Sequence, residues 1–146
     1  MKYDITYSCG HEGTVYICGK SDKRERKLKF FQEYGLCPKC YKKEKETEFL
    51  EKKSKYSALP ELTGTPKQIA WAEKIRIKAI DRFKLDEFAQ SSKKITALNE
   101  KIEKAKLSPN AETSYGKWWI KDNSQKLRIL TDPSAKYFIE EWGDYL

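Results

Sequence analysis

Histidine is almost absent from this chain of 146 residues, in which His11 is the single example. A serine or cysteine nucleophile usually needs a histidine base, and no second histidine exists to serve one. His11-Glu12 does not begin an H-E-x-x-H helix, because Val15 stands at the last position of that motif. The sequence also lacks G-x-G-x-x-G and phosphate-binding loops. It therefore predicts a protein that is not an enzyme, and a nuclease that uses only carboxylates is the least favoured alternative.

Long apolar segments are missing as well, since no run approaches the roughly 20 residues that a transmembrane helix needs. The opening residues 1–4 lead directly into a strand-like segment and carry no secretory signal. These features predict a cytoplasmic protein, here in a host bacterial cell, with no membrane partner. In a reducing compartment, the four cysteines favour metal binding over disulfides.

Charge is plentiful, with 36% charged residues and a formal net charge of +8. The chain is 38% hydrophobic and 13% aromatic, which is too apolar for a disordered protein. A small core under a charged surface fits this composition, and a metal ion would add useful stability to it. The positive excess favours nucleic acid, or acidic patches of a nucleic-acid-binding protein, as a partner.

The first part of the chain, residues 1–58, has the pattern of a small hairpin followed by two helices. Residues 3–7 and 14–18 are rich in Tyr, Ile, Thr and Val, which favour strands. Residues 22–34 predict a helix that Gly35 ends. A further helix should begin near Pro38 and run to about residue 56.

The remainder, residues 59–146, is predicted to be a helical region, and residues 57–64, which span its start, are the best linker candidate. Thr65 and Gln68 can form a capping box at the start of an amphipathic helix. Apolar residues then recur at helical spacing, so residues 66–106 form either one long helix or two helices bent near residues 84–91.

The C-terminal part predicts a short helix around Tyr115, a brief strand or turn over Leu127–Leu130, and a final helix capped at Asp132-Pro133. Four tryptophans occur at helical spacing, where core packing is commoner than base stacking or an interface role. They are Trp71, Trp118, Trp119 and Trp142. The predicted fold class is therefore mainly α with a small β-hairpin, or α+β.

Two paired ligand motifs stand in the first part of the chain. Cys9 and His11 flank a glycine in the expected hairpin turn, and Cys37 and Cys40 form a C-x-x-C motif at a helix start. Thiolate and imidazole are the ligands that a tetrahedral zinc site prefers. The pattern predicts one structural zinc ion, because four protein ligands leave no position for an activated water. Backbone N–H groups and the helix dipole should favour the thiolates.

Cys18 is an alternative ligand. It follows the turn in an apolar strand, where a buried free cysteine is common. If His11 does not bind the metal, a site of four cysteines that includes Cys9 and Cys18 is the alternative arrangement.

A basic face on the helix over residues 22–34 is a candidate partner-binding surface or an ordinary solvated face. Leu28, Phe31 and Tyr34 should form the opposite, inner face. The candidate partner-binding residues are Lys20, Lys23, Arg24, Arg26, Lys27 and Lys29.

The order of a hairpin turn and then a C-x-x-C motif entering a helix resembles a treble-clef or zinc-ribbon-like module, with the intervening helix as an insertion. More of the chain resembles a group of small zinc-binding proteins from phages and mobile elements of Gram-positive bacteria. The segments that carry this resemblance are Cys9–His11, Leu36–Tyr41, Leu59–Gly64, Lys67–Arg76 and Lys117–Ile120.

The chain also resembles zinc-binding anti-CRISPR proteins that inhibit a type II Cas9. That resemblance implies a non-enzymatic inhibitor that docks on Cas9, with or without guide RNA, and blocks its engagement of nucleic acid. It assigns no contact residues. A DNA- or RNA-binding accessory protein is the alternative, which the net charge and the zinc motif favour.

Overall fold

The computed structural model describes residues 1–144 and is 69% helical, with seven α-helices and one antiparallel hairpin in that range. The predicted fold class is confirmed. No helix within residues 1–144 is long and apolar enough to cross a membrane. In chain order the elements are β1 (Lys2–Thr6), β2 (Glu12–Tyr16), α1 (Ser21–Glu33), α2 (Pro38–Lys55), α3 (Pro66–Arg82), α4 (Asp86–Gln90), α5 (Ser92–Leu107), a 3-10 helix (Pro109–Glu112), α6 (Ser114–Thr131) and α7 (Ala135–Trp142).

Two compact units make up the chain, Met1–Glu48 and Phe49–Leu146. The sequence predicted residues 1–58 and 59–146, so the observed division falls earlier, inside α2. The reason is that Phe49 packs against the core of the helical unit, in which Tyr56 is buried. The second half of α2 therefore belongs to the helical unit.

The N-terminal unit, Met1–Glu48, has a small apolar cluster under its hairpin. Strands β1 and β2 pair from Lys2↔Tyr16 to Thr6↔Glu12, so β2 begins two residues earlier than predicted. Alternation along the strands places Ile5 on the side that packs with Tyr7 and Cys37. Partly buried side chains extend this cluster, among them Tyr3, Val15, Leu28 and Phe31.

The helical unit, Phe49–Leu146, has a larger core in which α3 packs on α7 and α5 packs on α6. Its start at α3 follows the prediction, because Thr65 and Gln68 form the reciprocal capping box. The largest fully buried side chains of the described residues all lie here, and they are Phe138, Ile80, Ile102, Ile129 and Leu130.

Residues 66–106 form three helices, whereas the sequence predicted one or two. Helix α3 ends at Arg82, and Lys84 adopts a left-handed conformation with φ 55°. This turn brings Leu85 into the core, where it is 3% exposed. A second break occurs at Ser91, whose extended backbone separates the short α4 from α5.

The prediction of a strand or turn over Leu127–Leu130 is wrong, because α6 continues to Thr131. Ile129 and Leu130 are fully buried on this helix, so core packing accounts for the helical conformation of an apolar run. The last helix begins as predicted near Asp132-Pro133, with Ser134 as the residue whose side chain caps it.

The four tryptophans divide evenly between core and surface. Trp119 and Trp142 pack against the helical core, as predicted. Trp71 and Trp118 are 53% and 59% exposed, so the core prediction is wrong for these two. Helical spacing did not separate the two groups because all four lie on amphipathic helices.

Candidate metal centre

The two predicted ligand pairs meet in the N-terminal unit. Cys9 and His11 lie in the turn between β1 and β2, and Cys37 and Cys40 lie at the start of α2. One ligand atom from each residue falls within 4.8 Å of the other three. Among the described residues 1–144, no other group of three or more Cys, His, Asp or Glu side chains converges in this way. The four residues are positioned to hold a metal ion.

The distances between ligand atoms fit a tetrahedral site. His11 Nδ1 lies 3.6 Å from Cys37 Sγ and 3.3 Å from Cys40 Sγ. Zinc bonds of about 2.3 Å to sulfur and about 2.0 Å to nitrogen place neighbouring ligand atoms about 3.5 Å apart in a tetrahedron. The donor set and its spacing are therefore compatible with zinc, bound through Nδ1 of the histidine.

A tight turn presents Cys9 and His11 on the same side. Gly10 N–H donates to the Tyr7 carbonyl and Tyr7 N–H donates to the His11 carbonyl, both at 2.9 Å. Gly10 has φ +82°, a left-handed conformation that glycine adopts without strain. Ser8 ties this turn to the end of α1, because its N–H and its hydroxyl both donate to the Gly35 carbonyl.

The start of α2 presents the second pair and supplies donors to sulfur. Cys37 N–H donates to Cys9 Sγ, and Cys40 N–H donates to Cys37 Sγ, each at 3.4 Å. The first bond links the two halves of the site directly. Pro38 opens the helix, where its missing N–H has no cost. The predicted donation of backbone N–H groups to the thiolates is thus confirmed.

The surroundings shift the pKa values of Cys9 and Cys40 in opposite directions. Donation from the backbone of Cys37 lowers the pKa of Cys9 from its ordinary value to about 6. The pKa of Cys40 is raised to about 11, chiefly by its hydrogen bond with the Cys37 side chain and also by burial and neighbouring thiolate charge. A divalent cation among the sulfur atoms would offset this repulsion and favour the deprotonated ligands.

Cys18 lies outside this group. It is exposed and follows β2, whereas His11 is one of the four converging residues. The alternative site of four cysteines is therefore not the arrangement that the structure shows. Strand β2 ends at Tyr16, which leaves Cys18 beyond the strand in which burial was expected.

Substitution of Gly10 tests the role of the turn. The variant Gly10→Ala should bind zinc about five- to thirtyfold more weakly, because a left-handed alanine costs about 1–2 kcal/mol. No atom lies within 4 Å of the added methyl group, so backbone strain is the only cost. Competition titration against a zinc chelator measures the change. Gly10→Asn is the matched control and should lose less, because asparagine tolerates this conformation. Equal affinities for all three proteins would contradict the prediction.

The predicted basic face lies on α1 and is largely exposed. Lys20, Lys23, Arg26, Lys27 and Lys29 are all exposed, as expected for a partner-binding or solvated surface. The four lysines of this set form no ion pair with any acidic side chain in residues 1–144.

Arg24 corrects the predicted set. Its side chain is half-buried and donates to the sulfur of Met1, and its Nε is buried without a hydrogen-bond partner. The spacing explains this position, because Arg24, Leu28 and Phe31 follow one another at i, i+4 and i+7 on one side of α1. Arg24 therefore belongs to the inner face and not to the candidate binding surface.

Tyr34 was predicted to lie on the inner face of α1, but this prediction is wrong because Tyr34 is 70% exposed. Phe30, which the sequence interpretation did not single out, is 58% exposed and lies with its ring 5.9 Å from that of Tyr34. The signal was available, since Lys23, Lys27, Phe30 and Tyr34 occur at i, i+4, i+7 and i+11, which places them on one helical face.

Comparison with known proteins gives no relative from which a role could be transferred. No protein-family model, no curated protein and no solved structure matches this chain.

Proposed function

We propose that the metal is zinc and that it stabilises a binding protein without enzymatic activity. The support is the donor set, in which three thiolates and one imidazole occupy all four positions of a tetrahedron and leave none for a reacting water. Native mass spectrometry of the purified protein should show one zinc ion per chain. A protein that folds without stoichiometric metal would refute the structural role.

The binding surface in this proposal is the exposed face of α1. The observation that carries it is the set of unpaired lysines Lys20, Lys23 and Lys27, whose charge no acidic side chain in residues 1–144 neutralises. Unpaired surface cations raise the local positive potential and attract polyanionic partners. The zinc ion acts indirectly, because it stabilises the unit that carries α1.

Cas9, alone or with guide RNA, is the first candidate partner. Its support is the resemblance to zinc-binding anti-CRISPR proteins of phages and mobile elements. In this proposal the chain docks on Cas9 in the cytoplasm of a host bacterial cell. The basic face of α1 meets an acidic or nucleic-acid-bearing surface there, and the docked chain blocks engagement of nucleic acid.

A DNA- or RNA-binding accessory protein is the second candidate. The specific observation in its favour is that exposed aromatic rings, Phe30 and Tyr34, lie on the same face as the lysines. Basic residues interleaved with aromatic ones are typical of surfaces that bind nucleic acid.

A pull-down on the immobilised, zinc-loaded protein separates the two candidates. The samples are Cas9 alone, Cas9 with guide RNA, bare duplex DNA and bare single-stranded nucleic acid. Capture of Cas9 without capture of free nucleic acid supports the inhibitor. Capture of nucleic acid alone, lost steeply as salt rises, supports the accessory protein. Capture of neither refutes the proposed binding role of α1.

A further inference from the structure

The exposed face of α1 combines two kinds of side chain in one row, which we call the α1 stripe. It consists of Lys23, Lys27 and Phe30, with Lys20 just before the helix and Tyr34 just after it. Residues at i, i+4, i+7 and i+11 point to one side of a helix, and this row extends over about 16 Å. The acidic residues of α1 lie off this row, so the stripe is purely basic and aromatic.

Packing of the N-terminal unit does not explain the aromatic half of the stripe. A neighbouring side of α1 supplies Leu28 and Phe31 to the cluster under the hairpin, and the ring of Phe30 meets that of Phe31 only edge-to-face, with centroids 6.0 Å apart. Phe30 and Tyr34 stay 58% and 70% exposed, with ring centroids 5.9 Å apart and planes tilted by 39°. Two neighbouring, accessible ring faces are what a base needs for stacking.

The lysines of the α1 stripe are not explained by a contribution to the stability of the helix. Lys20 and Lys23 lie at the N-terminal end of α1, where positive charge opposes the helix dipole. Neither these lysines nor Lys27 gain an ion pair within residues 1–144. Their arrangement, one turn apart and in line with the rings, complements a chain of phosphates.

We propose that the α1 stripe binds single-stranded nucleic acid, with lysines against phosphates and with bases stacked on Phe30 and Tyr34. The inference rests on the proposed binding role of α1 and names the ligand. A single strand fits better than a duplex, because the bases of a duplex are stacked on one another and only its backbone would meet the lysines. Stacking is tolerant of sequence, so the stripe should bind DNA or RNA with little base preference.

Fluorescence anisotropy on the full-length, zinc-loaded protein tests this. The probes are labelled polythymidine, labelled polyuridine and a duplex of equal length. We expect both single strands to bind at least tenfold more tightly than the duplex. The double variant Phe30→Ala/Tyr34→Ala should lose about tenfold or more for the single strands and little for the duplex. Tyr16→Ala is the matched control, since Tyr16 is exposed on the hairpin face opposite to the apolar cluster.

A second pair of variants tests the charges. Lys27→Gln should reduce the slope of log affinity against log salt by about 1, because one phosphate contact is lost. Lys42→Gln removes the same charge from an exposed lysine on α2, outside the predicted basic face, and should leave the slope nearly unchanged.

The outcomes separate this inference from the proposed function. Equal binding of duplex and single strand, insensitive to loss of the rings, overturns the stacking inference and leaves a purely electrostatic surface. Capture of Cas9 that needs Phe30 and Tyr34, with no binding of free oligonucleotide, also overturns it and makes the stripe a protein-docking site. Binding of no partner refutes both.

Discussion

The variant Cys40→Ser should lose its metal ion and unfold the N-terminal unit while the helical unit stays folded. Structural zinc contributes about 10–16 kcal/mol of apparent binding free energy in small zinc domains, which is also folding free energy. The apolar cluster under the hairpin has only Ile5, Tyr7 and Cys37 as buried members, and Ile17 is the one further buried apolar residue of Met1–Glu48. Such a cluster is too small to hold the hairpin and α1 together without the metal.

Two measurements check this expectation. Metal analysis should find stoichiometric zinc in the wild-type protein and none in Cys40→Ser. Hydrogen–deuterium exchange should then show loss of protection across β1, β2 and α1, with α3 and α5–α7 still protected. Treatment of the wild-type protein with a strong chelator should reproduce the pattern.

Cys18→Ser is the matched control, because it makes the same chemical change in an exposed cysteine outside the metal group. It should keep its metal and its exchange pattern. Retention of zinc and of protection in Cys40→Ser, or loss of zinc in Cys18→Ser, would show that the four assigned ligands are wrong.

The metal centre was predictable from sequence because each ligand pair is local. Cys9 and His11 are separated by one glycine, and Cys37 and Cys40 by two residues, so short-range geometry places each pair. The positive end of the helix dipole favours thiolates at the start of α2, and a tetrahedral metal needs four ligands. Together these two factors favour a site that joins the pairs. The choice between His11 and Cys18 is not determined by the local sequence, because it depends on where β2 ends.

The surface of α1 was harder to predict for a tertiary reason. Arg24 shares the i, i+4, i+7 spacing of Leu28 and Phe31, and its contact with Met1 in the structure shows that this side of α1 faces inwards. For Tyr34 the prediction of an inner position is wrong, because this residue directly follows α1 and its side chain is exposed to solvent. Periodicity identifies which residues share a face, but the neighbouring element decides which face is buried.

The helix breaks between residues 83 and 91 show the same limit. No Gly or Pro occurs there, and local propensity does not require an end to α3. Lys84 adopts φ 55°, an uncommon conformation for a residue other than glycine. Burial of Leu85 and Ala89 accompanies this turn, so packing outweighs the local cost. Such a balance is not visible in the sequence.

Truncation of Phe138 should produce the largest loss of stability in the helical unit. Phe138 is fully buried on α7, which packs on α3, and its ring lies 6.0 Å from the guanidinium of Arg76. Phe138→Ala removes a buried aromatic ring and leaves a cavity, which costs about 3–5 kcal/mol. A domain of this size has about 5–15 kcal/mol of stability, so a large part of it would be lost.

The effect is measured by chemical denaturation of the zinc-loaded protein, with the circular dichroism signal of the helices as the readout. Phe138→Leu should lose less, because it fills most of the cavity. Trp118→Ala is the control for removal of an aromatic side chain, and it should change stability by less than about 0.5 kcal/mol because Trp118 is 59% exposed. If Phe138→Ala cost no more than Trp118→Ala, α7 would not be packed on the core. Comparison of the two variants also tests which aromatic side chains belong to the core. Phe138 and Trp118 both lie on amphipathic helices and differ in burial.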